Sequence, residues 1–229
     1  MRSRIKEEFS QEDLDFLNDL IYSPYFDSNN EKADAILYHF KDKGFVELAP
    51  ATNRFALLKG KYVFKFALDD YGIKDNNTEY DMSYKLQPYV TKTYETNGLV
   101  LVAEYVNLIK ESEFMSSIPN IRAILKELSQ NFIFEDVGTI AKNFCNYGFR
   151  DDDSIVILDY GYFYEKDERL LYCNVCGGRL EYTENFDSLF CTKCGRKTDV
   201  HSIVYEMGVS EEDYEEPKFK GPLKITLGC

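Results

Sequence analysis

The sequence predicts an α+β fold: helices first, then a small, mostly antiparallel sheet with helices, a smaller helical part, and a cysteine-rich module near the C-terminal end. Three observations predict it. Apolar residues recur at helical spacing through the first 44 residues. From Phe45 the pattern changes to short strand runs broken by turn residues. Two Cys-x-x-Cys pairs then follow, Cys173/Cys176 and Cys191/Cys194.

The elements follow in order. Ser10-Gln-Glu-Asp13 reads as a helix start, with a hydroxyl acceptor at the cap and acid in the first turn. Leu14, Leu17, Leu20 and Ile21 form its apolar face. A second helix is expected from about 31 to 43, with Ala33, Ile36, Leu37 and Phe40 on one side and Gly44 ending it. Strand pieces follow at 45–48, 54–58 and 62–66, with Lys59-Gly60-Lys61 as a hairpin turn. A helix is expected over 76–86, capped by Asn76 or Asn77, then strands over 89–94 and 98–105. Residues 117–130 read as a helix with Ile121, Ile124, Leu125 and Leu128 inward. The stretch 131–149 carries a mixed pattern, and Ile155 to Leu158 reads as a buried strand.

Composition bounds the function. At 229 residues, 44% hydrophobic and 15% aromatic, the chain suits one sizeable core plus a small appendage. No apolar run approaches the roughly 18 residues of a membrane span. The charged start Met-Arg-Ser-Arg-Ile-Lys lacks the apolar stretch of a signal peptide, so a cytoplasmic protein is expected. A net charge of −13 argues against general affinity for nucleic acid or an anionic membrane. The acidic run Glu211 to Glu216 reads as a solvated linker.

The cysteine pairs are the strongest local motif. Fourteen residues separate them, and each is followed by glycine, Gly177 and Gly195, which relieves crowding where the chain turns. Two thiolate pairs supply the four sulfurs that tetrahedral zinc prefers, with no position left for substrate, so a structural Zn2+ is expected on Cys173, Cys176, Cys191 and Cys194. The module is similar to a zinc ribbon. Arg179, Lys193, Arg196 and Lys197 are opposed by Glu181, Glu184 and Asp187. The ribbon is therefore expected to contact protein rather than nucleic acid. Cys145 and Cys229 lack metal spacing and read as ordinary thiols.

A second set of residues carries chemistry. Lys65 closes the alternating strand Tyr62-Val-Phe-Lys-Phe, where a rigid cation can meet phosphate. Fourteen residues on, Glu79 can pair with it. The apolar run after Gly98 ends at Glu104-Tyr105-Val106, whose backbone can serve an adenine. Asn146 and Asp159 offer an amide and a carboxylate to magnesium.

This ordered set resembles the protein-kinase-like superfamily over roughly residues 45–165. The runs Asp75-Asn-Asn-Thr-Glu-Tyr-Asp-Met-Ser83 and Leu86-Gln-Pro-Tyr to Gly98 look more closely like small kinase-like proteins of bacteriophages. The resemblance implies a two-lobed fold, an antiparallel sheet lobe and a reduced helical lobe, with ATP and Mg2+ between them. It also implies a setting in a host cytoplasm or a virion, and a host or phage protein as partner. On this reading the helices occupy 1–44, the kinase-like domain 45–169, the ribbon 170–200 and a tail 201–229.

The sequence departs from the family in three ways. The phosphate-covering hairpin Leu48-Ala-Pro-Ala-Thr-Asn-Arg54 has no glycine, which leaves Thr52, Asn53 or Arg54 to reach phosphate by side chain. Counting five back from Asn146 gives Ala141, and from Asn143 gives Gly138, neither of which accepts a proton. Asp136, ten before Asn146, is the nearest acid for a catalytic base. His-Arg-Asp and Ala-Pro-Glu triplets are missing. The leading expectation is a nucleotide-binding or pseudokinase protein. An active ATP-dependent phosphotransferase and a scaffold that docks onto host machinery are the alternatives.

Overall fold

The computed structural model describes residues 3–49, 52–134, 144–184, 186, 188–200 and 202–203. The chain opens with α1 (Arg4–Glu8), α2 (Gln11–Tyr22) and α3 (Asn29–Phe40), then β1 (Val46–Ala49), β2 (Arg54–Lys59) and β3 (Tyr62–Ala67). Next come α4 (Asp70–Leu86), β4 (Thr93–Thr96), β5 (Val100–Glu104), β6 (Asn107–Leu108), α5 (Glu111–Leu128) and β7 (Phe132–Phe134). The remaining strands are β8 (Tyr147–Phe149), β9 (Ile155–Ile157), β10 (Phe163–Glu165), β11 (Leu180–Tyr182), β12 (Leu189–Cys191) and β13 (Lys197–Thr198). The architecture is α+β with antiparallel sheets. Among the described residues no helix is long and apolar enough to cross a membrane.

Contacts divide the chain into two compact units, residues 1–109 with 146–161, and 110–145 with 162–229. The first unit is built on a five-stranded antiparallel sheet in the order β1-β2-β3-β5-β4. Alternation sorts its side chains. Phe55 and Leu57 of β2, Phe64 and Phe66 of β3, and Val100 and Val102 of β5 share one core with Ile5, Phe9, Leu17, Leu20, Ile36 and Phe40 of the N-terminal segment. Phe9 sits at its centre, with its ring 5.4 to 5.8 Å from those of Phe40, Phe45, Phe64 and Phe66. The opposite face therefore carries the odd-numbered residues of β3. Lys65 pairs with Ala56 and Leu101, and Ala67 pairs with Arg54, so Arg54 and Lys65 point the same way. That is the face that α4 meets.

The helix starts follow cap chemistry. Ser10 and Asp13 form a reciprocal capping box, as expected. Gly44, at φ 75°, ends the turn after α3 in the left-handed conformation. Two helices begin earlier than their sequence pattern predicts. α4 starts at Asp70 rather than Asn76, because the Asp69 side chain accepts from the Gly72 N–H at 2.8 Å. Gly72 reads as a breaker in sequence, but a Cβ there would strike the backbone carbonyl of Asn53, so only glycine lets α4 approach. Asn76, expected as a cap, is buried in mid-helix, and its Nδ2 donates to the carbonyls of Gly98 (2.8 Å) and Lys65 (3.3 Å). α5 starts at Glu111 rather than near Ser117 and runs through Pro119. The carbonyl that proline leaves without a donor belongs to Met115, which is 74% exposed, so water can serve it.

The 89–94 strand expectation is displaced to Thr93–Thr96, with Val90 making an isolated bridge to Ile157. A small sheet β6-β8-β9 completes the first unit. In the second unit β10 pairs with β7, and β11-β12-β13 form a three-stranded sheet. Its core joins Leu171, Leu180, Leu189, Val200 and Ile203 to Ile133 of β7, and the Phe134 ring stacks on Tyr182 at 4.8 Å. The cysteine module is thus packed into a larger unit rather than hung on a linker.

Candidate functional site

Five charged residues meet on the α4 side of the sheet in the first unit. Lys65 Nζ lies 2.6 Å from Glu79 Oε2 and donates to the Leu158 carbonyl at 2.7 Å. Arg54 Nη2 donates to Glu79 Oε1 and to Asp159 Oδ1, both at 2.8 Å. Its Nε is 3.9 Å from Asp75 Oδ2. Glu79 is fully buried and is shared by both cations, while Asp159 keeps its side chain 44% exposed. The cluster holds two cations and three carboxylates, so the cations are fully paired in charge and one carboxylate is in excess.

Each side chain is placed by its element. The β2/β3 register puts Arg54 beside Lys65. On α4, Gly72, Asp75, Asn76, Glu79 and Ser83 are all buried, a polar stripe at helical spacing turned to the sheet. Beyond β9 the Asp159-Tyr160-Gly161 turn is pinned by Tyr160, whose hydroxyl donates to the Thr91 carbonyl at 2.7 Å and whose N–H points to Glu79 Oε1 at 3.4 Å. A Cβ on Gly161 would sit 3.1 Å from Asp75 Oδ1, so a side chain there would press on the Asp75 carboxylate.

Electrostatics differ between the acids. Partial desolvation would raise the Asp159 carboxyl, but Arg54 and Lys65 outweigh it and hold it below its ordinary value. Burial raises Asp75 from 3.8 to about 6, opposed by Arg54 and reinforced by Asp159 and Glu79. The folded state therefore binds more protons than the unfolded chain between about pH 4 and 6, and stability falls as pH rises through that window. The displacement corresponds to about 3 kcal/mol. Asp75→Asn is expected to remove this slope. Urea unfolding of both proteins at pH 4 and pH 7 should show wild type losing about 2 kcal/mol relative to the variant, the part of the shift that this window spans. A stability difference independent of pH would refute the placement of Asp75.

Asn146, Glu104 and Val106 belong to the same unit. The Asn146 carbonyl accepts from the Leu158 N–H at 2.9 Å, which sets its backbone across from the residue preceding Asp159. Glu104 is engaged by Arg150, whose Nε donates to Oε1 at 2.8 Å while its other nitrogens donate to the carbonyls of Pro88 (2.7 Å) and Val90 (2.8 Å). Val106 is buried against Gly148, where a Cβ would come within 2.6 Å of its Cγ2. Asp136 lies outside the described residues. Sequence reasoning missed Asp75, although its spacing of four from Glu79 on a helix would have found it, and it missed Arg150. Arg54 was a candidate for phosphate, yet here it binds carboxylates.

The four-cysteine centre lies in the second unit. The sulfurs of Cys173, Cys176, Cys191 and Cys194 all fall within 4.8 Å of one another. Cys173 and Cys194 are 3.8 Å apart, and Cys176 and Cys191 3.4 Å. A tetrahedral zinc with bonds of about 2.3 Å needs sulfurs about 3.8 Å apart, so the set fits that ion. The two turns are built alike. Gly177 N–H donates to the Cys173 carbonyl and Gly195 N–H to the Cys191 carbonyl, each at 2.8 Å. Both glycines have positive φ, 66° and 73°. Burial would raise the Cys191 thiol, but N–H groups of Cys194 and Lys193 bring it down to about 6, ready to ligate.

No protein-family model matches the chain, and no curated protein does. Part of it is similar to solved structures of WbdD. A 2.2 Å crystal structure of WbdD is 16% identical at a TM-score of 0.37, covering 53% of this chain and 33% of that one. A complex of WbdD with the kinase inhibitor LY294002 is 14% identical at 0.34, covering 53% and 35%. A structure of the bifunctional kinase-methyltransferase WbdD is 18% identical at 0.32, covering 51% and 31%. The likeness spans about half of this chain and about a third of theirs.

Proposed function

We propose that the chain is a protein-kinase-like nucleotide-binding protein of the pseudokinase kind, with a zinc ribbon that contacts a protein partner. The observation that carries the reading is the Lys65–Glu79 pair at 2.6 Å, joined through Arg54 to Asp159 on a single charged cluster. A lysine fixed by a buried glutamate on a rigid sheet is a ready phosphate contact. The resemblance of the 75–98 region to phage kinase-like proteins supports the same assignment and an infected cell as the setting. Phosphotransfer is not part of the proposal, since the five-residue offset from Asn146 falls on Ala141. Zinc, when bound, supplies the folding energy of the ribbon, and Cys173, Cys176, Cys191 and Cys194 hold it.

The test is calorimetric titration with ATP, in excess EDTA and in excess magnesium. Wild type is expected to bind. Lys65→Met leaves Glu79 paired with Arg54 and is expected to bind at least about tenfold more weakly, the loss of one charge-assisted contact. Absence of binding by wild type in both buffers, or equal binding by Lys65→Met, overturns the reading.

A further inference from the structure

We infer that Arg54 takes the place of a divalent cation at Asp159, so that a nucleotide binds here without magnesium. This rests on the nucleotide-binding reading above. In the kinase-like arrangement Asp159 is the carboxylate that magnesium needs, but its Oδ1 already accepts from Arg54 Nη2 at 2.8 Å. Magnesium binds carboxylate oxygen at about 2.1 Å and demands near-octahedral space. At that oxygen it would face a guanidinium held on the other side by fully buried Glu79. At Oδ1 the residues present do not fit the ion; they fit a fixed internal cation.

A second observation points to a ligand. Arg54 is 91% buried by side chain, since only 9% is exposed. Among the described residues its Nη1 is buried with no hydrogen-bond partner, whereas Nη2 serves two carboxylates. A buried guanidinium nitrogen without an acceptor is costly unless something supplies one. The cluster opens to solvent at Asp159, which is 44% exposed. A phosphate oxygen entering there brings the missing acceptor, and guanidinium geometry suits phosphate. The glycine-free hairpin agrees, because close backbone approach is replaced by a side-chain cation from the first residue of β2. Arg54, through Nη1, and Lys65 then contact one anion while Glu79 and Asp159 hold them in place, in the role a metal and a lysine would otherwise share.

The experiment is ATP affinity of wild type in excess EDTA against excess magnesium, with Arg54→Gln alongside and its fold checked by circular dichroism. Expected are wild-type affinities within about threefold in the two buffers. Arg54→Gln should lose about tenfold or more in EDTA and regain binding with magnesium, since Asp159 is then free. Wild-type binding that requires magnesium overturns the inference and leaves the nucleotide reading standing. Absence of binding in both buffers overturns the two together. Should Arg54→Gln not fold, the wild-type comparison alone still decides.

Discussion

A chelator is expected to unfold the segment from Leu171 to Val200 while the first unit keeps its structure. The ribbon's core is small: Leu171, Leu180, Leu189, Val200 and Ile203, with Ile133 and two of the cysteines. Such a core cannot offset the conformational entropy of the turns that carry the ligands. Structural zinc supplies on the order of 10 kcal/mol in comparable peptides. Hydrogen exchange in the presence and absence of chelator would show it. Protection should vanish across β11, β12 and β13 and weaken at Ile133, which shares their core. One zinc per chain should be measured in the untreated protein, and Cys176→Ser should lower that occupancy. Exchange rates indifferent to chelator would remove zinc from the account of this unit.

Glu79→Ala should be the most damaging single substitution in the charge cluster. Glu79 is fully buried and accepts from both Arg54 and Lys65. Removing it leaves two cations with little exposure, 9% and 14% by side chain, facing one carboxylate fewer. Breaking a buried pair from one side typically costs about 3–5 kcal/mol, because a charge is left uncompensated away from water. Urea denaturation should show that loss, with Glu79→Gln losing less because its amide oxygen can still accept. The Arg169–Asp167 pair is the contrast, since Arg169 is 87% exposed and Arg169→Ala should leave stability unchanged. A loss below about 1 kcal/mol in Glu79→Ala would mean that solvent reaches the cluster and that Glu79 does not order it.

Much of the site was legible before any coordinates. Alternation placed Lys65 in a strand, helical spacing placed Glu79, and an apolar run ended at Asp159. Arg54 and Asp75 were legible only in part. Arg54 joins the cluster because β2 pairs with β3 so that Arg54 lies opposite Ala67, and register is a property of two strands, not of either sequence. Asp75 joins it because α4 begins at Asp70, six residues before the expected start, where Gly72 tucks under Asn53. Local propensity counts that glycine as a breaker; the close approach of two backbones makes it a requirement. The Arg150 contacts to Glu104, Pro88 and Val90 span 46 to 62 residues of chain and leave no local mark.

Parts whose physics is local could be read from the chain alone. The two cysteine turns are such parts, because ligand spacing and a glycine at positive φ lie within six residues of each other. The Ser10 capping box and the aromatic face of β3 are others. Which charges meet is set by the fold. Coulomb attraction depends on distance and on exclusion of water, and both are set by strand register and helix approach rather than by order along the chain. That is why the Lys65–Glu79 pair was suggested only by the resemblance to kinase-like proteins, while the guanidinium joining Glu79 to Asp159 had to be found in the fold.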